Sequence, residues 1–298
     1  MALRFIVLLL PALAVARINV ELSGKFDAQN PNMQVYLSGN DVGIITDTER
    51  ETFNVRDGSL KDAVRANFGK RPDDAYLRSP TPWGDLYQSY GWSQVTRTLI
   101  PKKATILGIV SQPTIVMQQI FENNSSKPAT FNVGISQEVA NTVSSSWSKG
   151  GSLSIGQEIN YSFDIEVASG GGSTSIDYTN SWGESTEKSE TVTVGASTAM
   201  DILLQPGQSV MAQLHATKGT IKIEVEYEAS LSGDTAINYS SPYQGHHFWA
   251  LDVGAVMSSG GISNRLVSRE TIEIGFYSQS SVSVQDRNYA TQMMMVKF

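Results

Sequence analysis

The sequence contains no cysteine, which excludes disulfides, Cys-ligated zinc, iron–sulfur clusters and thiol nucleophiles. It has only three histidines, so material for general-base or metal chemistry is scarce. Basic charge is also short: 22 Lys and Arg against 29 Asp and Glu give a net charge of −7. That balance argues against a nucleic-acid partner, which requires a basic patch to displace counterions from phosphates. No apolar run reaches the roughly 20 residues of a membrane-spanning helix. A phosphate-cradling glycine loop, a zinc-protease helix motif and nucleophile-elbow spacing are all missing. His246 and His247 are adjacent, and neighbours on a strand point to opposite faces, so they make a poor metal site. These absences favour a protein that is not an enzyme and that uses neither cofactor nor metal.

What is present describes a folded chain. Its 298 residues, 40% of them hydrophobic, suit two domains or one long β-rich one. Residues 1–16 read as a secretory signal peptide: Arg4, an apolar run from Phe5 to Leu10, Pro11, then the small-x-small triplet Ala14-Val15-Ala16. Export normally permits disulfides, so their absence implies either a core large enough to dispense with them or a fold that must rearrange. Asn123, Asn124, Asn160 and Asn238 head glycosylation sequons, the first two overlapping.

Along the chain, Ser59 and Gly69 bracket a short helix with Leu60, Val64 and Phe68 on one face. Trp83, Tyr87, Tyr90 and Trp92 cluster in a turn-rich stretch; they read as a small aromatic core or as a receptor or glycan contact, since aromatic faces stack on sugars. Thr105–Val110 and Thr114–Phe121 read as strands separated by Gln112-Pro113. From Ala129 to residue 198, Ser and Thr supply 23 of 70 residues and two-residue alternation replaces helix periodicity, which marks strands. Val210–Ala216, Ile221–Tyr227, Thr271–Tyr277 and Ser281–Gln285 are further strand candidates.

The segment from Ser152 to Trp182 is the most informative. Leu153, Ile155, Ile159, Tyr161, Phe163, Ile165 and Val167 alternate with polar residues, Gln157 being the one exception. Gly170-Gly171-Gly172 then reverses the chain, and alternation resumes with Ile176 and Tyr178. The result is an amphipathic β-hairpin with a glycine tip. Its apolar face either packs into a sandwich core or becomes the lipid face of a β-barrel, for which about 9–11 residues per strand suffice.

Gln119 to Phe131 leads into Val139–Trp147, and the hairpin, Leu204-Gln205-Pro206-Gly207 and Ile221–Tyr227 follow in order. This succession resembles the pore-forming module of aerolysin-type toxins, the group of epsilon-toxin, mosquitocidal toxins and natterins. Thr81–Tyr87 and Gly245-His246-His247-Phe248 add a nearer resemblance to the spherulin-like proteins known as insect follicular epithelium yolk protein subunits. The resemblance implies a mainly β, elongated aerolysin-like fold with a small mixed α/β head and long antiparallel Ser/Thr-rich strands. It divides the chain into a head at 17–128, a pore-forming module at 129–235 and a C-terminal β segment at 236–298 completing the body. It implies a homo-oligomer, a membrane lipid or cell-surface receptor as partner, and an extracellular or egg location. Carried over by position, Leu153, Ile155, Ile159, Tyr161, Phe163, Ile165, Val167, Ile176 and Tyr178 would face lipid, while Glu158, Asp164, Glu166 and Asp177 would line the lumen. The rival expectation is an egg or extracellular storage protein of the same fold that forms no pore.

Overall fold

The computed structural model describes residues 18–26, 32–148, 158–167, 173–181, 183–196 and 200–297. The proposed signal peptide, Leu153, Ile155 and the glycine tip at 170–172 therefore lie outside the described residues. In chain order the elements begin with β1 (Ile18–Phe26), β2 (Asn32–Ser38), β3 (Asp41–Ile44), α1 (Asp47–Thr52), α2 (Asp57–Phe68), β4 (Asp74–Tyr76) and α3 (Pro82–Tyr90). Then come β5 (Thr96–Glu122), β6 (Ala129–Asn132), β7 (Ser136–Trp147), β8 (Glu158–Val167), β9 (Ser173–Ser181), β10 (Thr186–Gly195) and β11 (Asp201–Leu204). The chain continues with β12 (Ser209–Ser232), β13 (Asp234–Tyr243), β14 (His246–Asp252), α4 (Val253–Ser259), β15 (Leu266–Asp286) and β16 (Gln292–Lys297). The fold is mainly β, as expected.

Its spine is a sheet ordered β10-β7-β15-β12-β5-β3, with β16 also paired to β15. Three strands run its length: β5 has 27 residues, β12 has 24 and β15 has 21. Each was expected as two shorter strands, and bulges explain the difference. In β12 the buried positions are even at Val210, Ala212, Leu214 and Ala216, then odd from Ile221 to Tyr227. The parity changes where the pairing with β15 shifts register between His215 and Thr217. An inserted residue bends the strand and flips its faces without ending it, so in sequence it looks like a break. Pro113 lies inside β5 opposite Thr217 rather than in a turn. Only Thr96–Leu99 of β5 pairs with β3, so among the described residues Pro113 lies in an edge stretch of the sheet, where proline is tolerated.

The head forms from both ends of the chain. Helix α2 ends at Gly69, whose φ of 89° is the left-handed cap expected of it, but its N-cap is Arg56, three residues before Ser59. Leu60 and Val64 are buried, and α2 contacts α4. Strand β4 joins the sheet β14-β13-β4. The segment 236–298 thus divides: β13, β14 and α4 build the head, while β15 and β16 belong to the long sheet. The 17–128 segment divides too, because β5 lies in the long sheet and β1 and β2 join a sheet ordered β2-β1-β8-β9. Such partners are distant in sequence, and local patterns carry no record of them.

Candidate functional site: a docked amphipathic hairpin

Strands β8 and β9 form the expected hairpin, antiparallel with Tyr161 opposite Tyr178 and Phe163 opposite Ile176. The alternation of side chains fixes which face turns inward. Ile159, Tyr161, Phe163, Ile165 and Ile176 are each 6% exposed or less and belong to the main core. Tyr178 is half-buried and stacks on Tyr161, with ring centroids 4.6 Å apart and planes 6° from parallel. The opposite face carries Glu158, Asp164, Glu166 and Asp177, all exposed. Val167 ends β8 opposite Phe26. The apolar face is covered in this state, and the acidic face is in water.

The hairpin is held on two sides. Laterally, β8 pairs with β1 in parallel over nine residues, from Ile18 opposite Ile159 to Phe26 opposite Val167. Parallel pairing is slightly weaker per residue than antiparallel. Beneath, the inward face meets the long sheet, where Phe26 packs edge-on to Phe276 at 4.8 Å. One polar group interrupts this apolar contact. The Tyr161 hydroxyl donates to Glu270 Oε2 at 2.6 Å, and the Tyr227 hydroxyl donates to the same oxygen at 3.0 Å. Glu270 is 0% exposed. Burial pushes its carboxyl up to about 7, against the opposing pull of hydrogen bonds from Tyr161, Tyr227 and Ser145.

Sequence reasoning missed Glu270, although it left a signal. Glu270, Ile272, Ile274 and Phe276 share the inward parity of β15, so Glu270 is a carboxylate at the head of an apolar run.

This architecture can be set beside known proteins. The family described as Clostridium epsilon toxin ETX/Bacillus mosquitocidal toxin MTX2 matches residues 94–284, well over half of the chain. The chain belongs to the ETX/MTX2 family. It is 42% identical to U-megalopygitoxin(8)-Mo12 of Megalopyge opercularis, over 97% of this chain and 99% of that one. It is 43% identical to U-megalopygitoxin(8)-Mc8 of Megalopyge crispata, over 91% and 92% respectively. Its fold is similar to that of the Bacillus thuringiensis toxin parasporin-2, with a TM-score of 0.65 and 16% identity over 83% of this chain and 98% of that one. The expected kinship with aerolysin-like β-pore-forming toxins stands. The nearer resemblance to yolk-protein subunits is not what these relatives show.

The other candidate residues of this ETX/MTX2 chain sort by exposure. Trp83 and Tyr90 are 48% and 54% exposed, and Tyr90 stacks on half-buried Trp92 at 4.7 Å. Tyr87, by contrast, is buried, and its hydroxyl donates to the carbonyls of Tyr76 and Asp234, so it is a tie within the head and no surface contact. Among the sequons, Asn124 is exposed. Asn123 is 2% exposed, and its Nδ2 donates to the carbonyls of Lys127 and Leu204. Asn238 is also buried and donates to Asp74. Asn160 is half-buried beside Asn19. His247 Nδ1 lies 2.6 Å from the Tyr239 carbonyl, and among the described residues no three His, Asp or Glu gather as metal ligands.

Proposed function

We propose that this chain is a secreted pore-forming toxin that oligomerises and inserts the 152–182 hairpin into a target membrane. The observation that carries the reading is the hairpin's two-faced alternation, apolar toward the body and acidic toward water, in a family of β-pore-forming toxins. Strands β8 and β9 have 10 and 9 described residues, enough to cross a bilayer core when tilted. A single inserted hairpin would leave its edge N–H and C=O groups unpaired in hydrocarbon, so insertion requires several copies closing a barrel. The face now covered by the long sheet then turns to lipid, while Glu158, Asp164, Glu166 and Asp177 line the lumen. Trp83 and Tyr90, both about half exposed, are the aromatic side chains that would meet a cell-surface receptor or glycan. Replacing Trp83 and Tyr90 by alanine then lowers cell binding without changing liposome leakage.

The test is dye release from liposomes and from cultured cells, with and without limited proteolysis, on a variant that can be locked. Ser23 and Asp164 are register partners across β1 and β8, and the native chain has no cysteine to interfere. With Ser23→Cys and Asp164→Cys, the reduced protein releases dye and forms a detergent-resistant oligomer, whereas the oxidised protein does neither. Equal leakage from both forms refutes hairpin release.

A further inference from the structure

A polar cluster lies beneath the hairpin in a contact otherwise made by apolar side chains. Glu270 Oε2 receives two phenol hydroxyls, one from Tyr161 on β8 and one from Tyr227 on β12. Ser145 on β7 is a further hydroxyl beside the carboxyl, and the Tyr178 hydroxyl on β9 is buried with no hydrogen-bond partner among the described residues. Strands β7, β8, β9 and β12 thus each bring a neutral hydroxyl toward the carboxyl. Among the described residues no Lys, Arg or His is a partner of the carboxyl; Arg269, its chain neighbour, pairs instead with Glu226. A buried carboxylate without a cationic partner is costly, so burial keeps the acid protonated until the pH approaches neutrality.

We propose that Glu270 is a pH-sensitive latch, a buried acid that holds the β8–β9 hairpin while neutral and weakens its docking once ionised. This rests on the proposed release of the hairpin. Undocking exposes the carboxyl to water and removes its reason to stay protonated. Its titration then falls from about 7 in the docked state toward the ordinary 4.5. Two and a half pH units correspond to a factor of about 300 in the docking equilibrium. The sign follows from proton binding. The docked state holds the extra proton, so docking is tightest below pH 4.5, weakens as pH rises from 4.5 to about 7, and changes little above that. Acid secures the hairpin, and neutrality frees it.

The experiment is amide hydrogen exchange of the 158–181 segment between pH 5 and 8, corrected for intrinsic rates, on the full chain without membrane. In the native protein, hairpin opening increases about 70-fold across this range, while β12 stays protected. Glu270→Gln, which keeps the shape and cannot ionise, removes the dependence. Tyr161→Phe serves as a second variant: loss of a hydrogen bond to the ionised form moves the upper end of the transition to higher pH. Hairpin protection independent of pH, or an unchanged dependence in Glu270→Gln, overturns the latch. Because exchange is read without lipid, leakage combined with pH-independent protection sinks the latch alone. The pH dependence without any leakage leaves the latch and sinks the pore.

Discussion

Replacing Phe163 by alanine removes the centre of the hairpin's inward face. Phe163 is 0% exposed, opposes Leu22 on β1 and Ile176 on β9, and meets the Tyr178 ring at 5.8 Å. Truncating a fully buried phenylalanine costs about 3–5 kcal/mol, through lost transfer energy and the cavity left behind. If the hairpin opens as a unit, that loss falls on its docking and not on the long sheet. At 1.4 kcal/mol per tenfold, the opening equilibrium rises roughly 100- to 5000-fold. Leakage is the wrong readout, since the same ring is expected to face lipid. The assay is native-state hydrogen exchange of 158–181 against the control strand segment Ile221–Leu231, whose inward positions are buried in the same core. Faster exchange confined to the hairpin supports independent docking. An equal rise in both segments, or none in either, refutes it, because the hairpin would then be an ordinary part of one cooperative core.

Four further outcomes follow from other positions. A Cβ added at Gly219 would lie 2.3 Å from Phe276 Cζ, and that ring is fixed edge-on against Phe26. Gly219→Ala therefore lowers stability by about 1–3 kcal/mol, seen as a lower urea midpoint with an unchanged slope. In eukaryotic secretory expression, Asn124→Gln removes a glycan-dependent mobility shift and Asn123→Gln does not. Asn123→Ala instead costs about 1–3 kcal/mol in thermal unfolding, because the Leu204 carbonyl loses its buried donor. Channels formed by the native protein select cations, and Asp164→Asn with Glu166→Gln moves the reversal potential toward zero, because rings of acidic side chains set that preference.

The hairpin was legible because period-two alternation is a local signal and needs no knowledge of a partner. Its sandwich and membrane readings share that pattern, however, and in the docked state Ile159, Tyr161, Phe163 and Ile165 pack into a core, as the sandwich reading expects. Helix α2 and its Gly69 cap were legible for the same local reason. The parallel ladder between β1 and β8 was not, since 141 residues separate Ile18 from Ile159 and neither strand encodes the other. Bulges concealed the continuity of β5, β12 and β15 by inverting parity in mid-strand. The aromatic cluster divided on burial: one residue, Tyr87, turned inward to bind two carbonyls while Trp83 and Tyr90 stayed outside. Glu270 was visible only as a charge at an inward position, and its meaning depended on Tyr161 arriving from a distant strand.

Parity of labelling along β8 tests the central claim most directly. Single cysteines at Ser162, Phe163, Asp164 and Ile165 carry a small fluorophore, and the oligomer is formed on leaking liposomes. If the hairpin crosses the bilayer as a barrel strand, a lipid-phase nitroxide quenches positions 163 and 165, while aqueous iodide quenches 162 and 164. Quenching of all four by iodide alone, with none by the lipid probe, would show that the hairpin never enters the membrane and would contradict the account.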